Sequence, residues 1–113
     1  MRFLAVLLFS AFITQQAVAH GNHRPTVTRD QALAIAVNIS KQFAGSDPQL
    51  GFGALPESWS NVSTTDANIF QRGQGYYIVK VVNEDEGQPL YVLISESGEV
   101  YDANLTGNFT SLK

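Results

Sequence analysis

The sequence of 113 residues contains no cysteine. The chain can therefore form no disulfide, no thiolate metal site and no lipid-modified cysteine. Its stability has to come from packing and hydrogen bonds, whatever the redox state of its compartment.

Positive charge is scarce as well. Seven Lys and Arg stand against ten Asp and Glu, for a formal charge of −3, and the basic residues are scattered along the chain. Nucleic acids and anionic membranes are bound through clustered Lys and Arg, so the sequence argues against both kinds of partner.

A catalytic constellation is also missing. Nucleophilic catalysis needs a base beside its Ser, Thr or Cys, and the two histidines, His20 and His23, both lie near the N-terminus. The acidic run Glu84–Glu86 has the composition of a solvated hairpin loop. The pair Gly51 and Gly53 lacks the third glycine of a dinucleotide-binding loop. We therefore expect a protein that is not an enzyme.

The sequence has no apolar run of the roughly 20 residues that a membrane-spanning helix needs. The shorter apolar run Phe3–Ile13 follows a basic start and precedes Ala17–Ala19, which has small residues at the two positions that signal peptidase reads. Residues 1–19 are predicted to be a signal peptide cleaved after Ala19. The mature protein is then periplasmic or secreted and is not inserted in the membrane.

Cleavage removes 19 of the 113 residues and leaves 94, which suffice for one small domain. Residues 20–27 are polar, contain Gly and Pro, and are predicted to form a flexible tail. If His20 comes first, its amine and ring chelate a metal and His23 adds a third nitrogen. This donor set suits Cu or Zn, and no other cofactor is expected.

A helix is predicted to start after Thr28. Thr28 and Gln31 match a capping box, and Gly45 is a natural residue just past the end of the helix. Apolar residues recur between them at helical spacing. These residues are Ala32, Ile35, Ala36, Ile39 and Phe43, with Leu33 and Val37 widening the stripe.

The second half of the chain predicts an antiparallel meander. The runs Tyr76–Val82, Leu90–Ile94 and Val100–Leu105 are rich in β-branched and aromatic residues, and polar, glycine-bearing turns separate them. A less apolar run, Asn61–Phe70, is predicted to be an edge strand. The predicted fold class is α+β, with one long N-terminal helix packed on a four-stranded antiparallel sheet.

The face of the sheet that meets the helix is predicted from the alternation of the strands. Val79 and Val81 are expected to pack against Ile35, Ile39 and Phe43. Trp59, the single tryptophan, lies between the helix and the strands in sequence and is expected in the same core.

The other face of the sheet is apolar too, since Tyr76, Ile78 and Val82 point away from the helix. One amphipathic helix covers only one face. This second face is predicted to engage an exported protein or a second copy of the chain, or to receive the loops around Phe52 and Phe109.

These features together resemble the PepSY domain. The resemblance lies in a capped helix, a Trp-bearing connection, the strands Tyr77–Val81 and Tyr91–Ile94, and the turn Ser97–Val100. It implies an α+β domain over residues 28–107, followed by a C-terminal tail at 108–113.

The chain resembles more closely a group of small periplasmic PepSY-like proteins whose mature chains begin His-Gly-x-His. The corresponding segments are His20–His23, Ser58-Trp59 and Asn104–Gly107. The resemblance implies an exported protein with a binding or regulatory role, because an inhibitory or regulatory role toward peptidases has been proposed for PepSY domains. The predicted function is thus an exported protein- or peptide-binding module, and metal binding by His20 and His23 is the alternative.

Overall fold

The computed structural model describes residues 26–112. One α-helix lies on a four-stranded antiparallel sheet whose strands are hydrogen-bonded in chain order. The helix, α1, spans Arg29–Phe43, and the strands are β1 Ala67–Gly73, β2 Tyr76–Val81, β3 Leu90–Ser95 and β4 Val100–Asn104. The predicted α+β architecture is confirmed.

The ends of α1 follow the sequence signals. Thr28 Oγ1 accepts from the Gln31 N–H at 3.1 Å, and Gln31 Oε1 accepts from the Thr28 N–H at 2.8 Å, which completes the capping box. Beyond the helix, Gly45 has a φ of +71°, and its N–H donates to the Leu55 carbonyl at 2.8 Å. This positive φ favours glycine, because other L-residues rarely adopt it.

The face of α1 that packs on the sheet differs from the prediction. Ile35 and Ile39, expected to pack against Val79 and Val81, are only partly buried and lie at the margin of this face. The centre is occupied by Ala36 and its neighbours. The buried residues of α1 are Ala32, Leu33, Ala36, Val37, Ser40 and Phe43.

Small residues explain this shift. Ala32, Ala36 and Ser40 recur at every fourth position, so the helix backbone can approach the sheet closely there. Ser40 Oγ donates to the Ala36 carbonyl at 2.7 Å, which satisfies a hydroxyl that would otherwise be buried without a partner. The bulkier isoleucines then flank the contact.

β1 begins later than predicted. Of its first six predicted residues, 61–66, Asn61 ends one short 3-10 helix, Glu57–Asn61, and the last three form a second, Thr64–Asp66. The Asp66 carboxylate accepts from the Ser63 N–H at 2.9 Å, and this local bond keeps the backbone out of the sheet until β1 begins.

The connection between β1 and β2 is shorter than predicted. Gln71–Gly73, expected in the connection, belong to β1, and their partners in β2 are Tyr76–Ile78. Only Gln74 and Gly75 remain for the turn. Gly75 has a φ of +84°, which a two-residue hairpin turn requires of glycine.

Two apolar cores lie on opposite faces of the sheet. The larger one lies between the sheet and α1 and contains Val79 and Val81, as predicted, together with Trp59. The smaller one surrounds Ile78 and Leu93 on the face turned away from α1, which we name the second face.

Candidate functional site

The second face is covered in part by residues 106–112, which we name the strap. Phe109 of the strap is 8% exposed and packs with Ile78 and Leu93, each 1% exposed. Tyr76, Tyr91 and Leu112 pack around this cluster. The chain around Phe109 thus returns to the second face, as one of the alternatives left open by the sequence has it, whereas Phe52 packs on Phe43 in the larger core.

Asn104, the last residue of β4, holds the start of the strap. Its Oδ1 accepts from the N–H groups of Thr106 at 3.1 Å and Gly107 at 2.7 Å, and its Nδ2 donates to the Asn108 carbonyl at 2.8 Å. Thr106 Oγ1 also accepts from the Asn108 N–H at 3.2 Å. One asparagine side chain therefore closes the turn that sends the chain back across the sheet.

Gly107 crosses two aromatic rings at close range. Its φ is +82°, and a Cβ there would lie 3.2 Å from Tyr91 and 3.4 Å from Phe70. These two rings pack edge to face with centroids 4.8 Å apart. Glycine at this position lets the strap lie close against the sheet.

Each edge strand carries an aromatic residue at a β-bulge. The register of β1 shifts around Phe70 and that of β4 around Tyr101, so neither residue has a partner directly opposite. Phe70 is 47% exposed and Tyr101 is 62% exposed. A bulge releases a side chain from the regular alternation of its strand, and here it leaves two rings at the margins of the sheet.

A groove of about 510 Å³ lies between Tyr101 and the end of the strap, and we name it the Tyr101 groove. Its lining residues are Gln74, Gly75, Tyr76, Leu93, Tyr101, Asp102 and Leu112. The Tyr76 hydroxyl accepts from Gln71 Nε2 at 2.9 Å, which fixes one wall. Mainly aromatic and aliphatic walls with a few polar groups are typical of sites that bind small molecules or peptide side chains.

Asp102 is the one charged residue that lines the groove. Its Oδ1 accepts from the Ala103 N–H at 2.8 Å. Within residues 26–112 the single ion pair joins Arg29 and Asp30, so none of the Lys and Arg side chains in that range pairs with Asp102. A cationic group on a ligand would find a carboxylate acceptor there.

The three residues predicted to form a partner-binding face lie in different environments. Ile78 is buried under Phe109 and offers no surface to a partner. Val82 is 38% exposed, follows β2 and donates its N–H to the Asp66 carbonyl at 2.9 Å. Only Tyr76 lines the Tyr101 groove. The accessible part of the second face is therefore displaced toward β4 from the predicted position.

The predicted metal ligands His20 and His23 lie outside the described residues. Within the range that the structure describes, no group of three or more His, Cys, Asp or Glu side chains is arranged to hold a metal ion.

A second, polar cleft of about 210 Å³ lies at the β2–β3 loop, and Asp66, Glu84 and Asp85 are among its lining residues. Asn83 is buried beside them, and both ends of its side-chain amide are hydrogen-bonded. Its Nδ2 donates to Ser58 Oγ at 2.9 Å, and its Oδ1 accepts from the Asp85 N–H at 3.0 Å. This asparagine orders the loop. The exposed acidic residues around it are those of a solvated hairpin loop.

Of the residues that line the groove, the predicted face contains only Tyr76, and the apolar residues that it misses are Leu93, Tyr101 and Leu112. Leu93 carries a usable signal, since alternation along β3 assigns it to the second face. Tyr101 carries none, because a bulge breaks the alternation at that point. Leu112 follows a segment without periodicity, so no pattern indicates that it returns to the sheet.

A family model with the description "family of unknown function (DUF6488)" matches residues 1–108. Curated proteins and solved structures give no match to the chain. None of these comparisons tests the resemblance to PepSY domains, which stays a prediction. No helix in the described part of the chain is both long and apolar enough to cross a membrane.

Proposed function

The chain belongs to the DUF6488 family, whose function is unknown, and from this premise we propose that it is an exported binding module. In this proposal the Tyr101 groove binds an extended peptide segment of another exported protein, and the chain catalyses no reaction. Export rests on the signal-peptide pattern of residues 1–19.

The observation that carries the proposal is the composition of the groove. Tyr76, Tyr101, Leu93 and Leu112 offer apolar contact area, and Tyr101 stands exposed beside the outer edge of β4. Aromatic side chains supply much of the free energy of binding in peptide and protein interfaces. Asp102 adds one acceptor for a positive charge. The ligand that fits is a segment with an apolar side chain next to a Lys or Arg.

The edge of β4 favours side-chain recognition over the addition of a long strand. The bulge at Tyr101 interrupts the regular ladder, and the Ala103 N–H is already bonded to the Asp102 carboxylate. A peptide would therefore pair with this edge over a few residues only. For the same reason, edge-to-edge pairing of two copies is disfavoured.

A displayed library of random peptides is the test of this function. Peptides selected on the protein should share an apolar and a basic residue, and Tyr101→Ser should weaken their Kd at least tenfold. Leu50→Ser is the matched control, because Leu50 is 41% exposed and does not line the groove. Selection of no common motif, or equal weakening by both variants, would count against the groove.

Metal binding by His20 and His23 is the second candidate. It is favoured by one observation on the sequence, that cleavage after Ala19 would make His20 the first residue. In a calorimetric titration with Cu(II), the mature protein should bind one ion, and the His20→Ala, His23→Ala double variant should bind none. The affinity should fall below about pH 6, because the ligands must lose protons and an ordinary histidine titrates near 6.5. Equal binding by both proteins removes this site.

A further inference from the structure

The described chain begins beside the Tyr101 groove. The Val27 N–H donates to the Glu96 carbonyl at 2.8 Å, and the Val27 carbonyl accepts from the Tyr77 hydroxyl at 3.1 Å. These two bonds fix where the N-terminal segment leaves the domain. Thr26 and Val27 line a small cleft there, together with Gly75 and Tyr76.

The same two residues, Gly75 and Tyr76, also line the Tyr101 groove. The exit of the N-terminal segment and the groove are thus adjacent. Residues 20–25 are six residues long, and in extended form they span about 20 Å. This length is sufficient to enter the groove from Thr26.

The charges at this edge are complementary to the segment. Asp102 lies in the groove, and Glu96 lines the exit cleft. Arg72 also lines that cleft, but its guanidinium carbon lies 5.0 Å from the centre of the Tyr77 ring. Among residues 20–25, Arg24 carries the one permanent positive charge, two residues before the described chain begins.

The sequence also favours an extended segment. Arg24 precedes Pro25, and a residue before proline is disfavoured in the helical conformation. His20 and His23 bring two flat rings that suit contacts with tyrosine faces.

We propose that residues 20–25 of the mature chain occupy the Tyr101 groove, with Arg24 directed at its acidic edge. The inference rests on the proposed function, because it gives the same groove an occupant from its own chain. A partner peptide must then displace this segment. A segment that fills the groove for about nine-tenths of the time weakens a competing ligand about tenfold.

The test compares two-dimensional amide NMR spectra of the mature protein, of its Arg24→Glu variant and of a chain that begins at Thr26. We expect both changes to shift the same groove amides, with Tyr101 and Leu112 among them, since these two residues line the groove but not the exit cleft. Arg29→Glu is the matched control. It makes the same change of charge on an exposed residue five positions later, outside the groove, and should leave those amides in place.

Groove amides that coincide in the mature and shortened proteins overturn the proposal. So does a shift caused equally by Arg24→Glu and Arg29→Glu. Binding of a library-selected peptide separates this inference from the proposed function. If the peptide binds both proteins with equal Kd and still depends on Tyr101, the occupancy by residues 20–25 is wrong and the groove stands.

Discussion

Phe109 is the side chain on which the second core depends. It covers Ile78 and Leu93, and the contact joins residues about 16 and 31 positions apart in a segment that shows no periodic pattern. A residue in this position contributes to stability through buried area alone, since its ring has no polar group.

Phe109→Ala should lower the free energy of unfolding by about 3 kcal/mol, since it removes a buried ring and leaves Ile78 and Leu93 partly open to water. Urea unfolding followed by circular dichroism measures the change. Leu50→Ala, at an exposed position, should change stability by less than about 0.5 kcal/mol. Equal unfolding midpoints for the two variants would show that the strap does not stabilise the sheet.

At the scale of single residues, the sequence predicts the positions that depend on local hydrogen bonds. Thr28 and Gln31 form the capping box that their spacing indicates, and Gly45 follows the helix as expected. Tyr101 could not be assigned, and Phe109 could be placed on the second face only as one of several alternatives, because a bulge and a long-range contact determine where they lie. Tyr101 and Leu112 line the groove and carry no local signal, so its position escaped the sequence prediction.

At the scale of an element, α1 also combines features that local signals predict with a feature that packing determines. Its length and ends are those that the sequence predicts, but its buried face is rotated from the predicted one. Hydrophobicity ranks Ile35 and Ile39 above Ala36, whereas close packing on a sheet favours the small side chain. The spacing of apolar residues predicts which side of a helix is buried. The sizes of the side chains decide which of them lies at the centre of the contact.

Val37→Asp should therefore destabilise the protein more than Ile39→Asp. At position 37 the carboxylate is buried without a partner, which costs several kcal/mol out of a total of about 5–15 kcal/mol. At position 39 the side chain lies at the margin and can reach water. The fluorescence of Trp59 during urea unfolding reports both variants, and a larger loss for Ile39→Asp would restore the predicted face.

At the scale of the whole fold, residues 26–112 form one sheet shared by two cores. Trp59 lies in the larger core, on the α1 side, whereas the strap closes the smaller one. Because the strands β2 and β3 contribute to both, the two cores should unfold in a single transition. The α+β class could be predicted from the sequence at this scale, since strand alternation and helix capping are local signals.

Signal peptidase should cut the chain between Ala19 and His20. The small residues Ala17 and Ala19 fit its requirements, and a large charged residue at position 19 does not. The intact mass of the exported protein should match a chain that starts at His20, and Ala19→Arg should leave the leader attached. A mass that retains Met1 in the parent protein would contradict this prediction.

The strap also hides an apolar surface from solution. A chain that ends at Gly107 would keep all four strands and α1, but it would leave Ile78 and Leu93 facing water. Such a shortened chain should self-associate at concentrations where the full chain does not, because large exposed apolar patches promote aggregation. Phe109 and Leu112 therefore act on solubility as well as on stability.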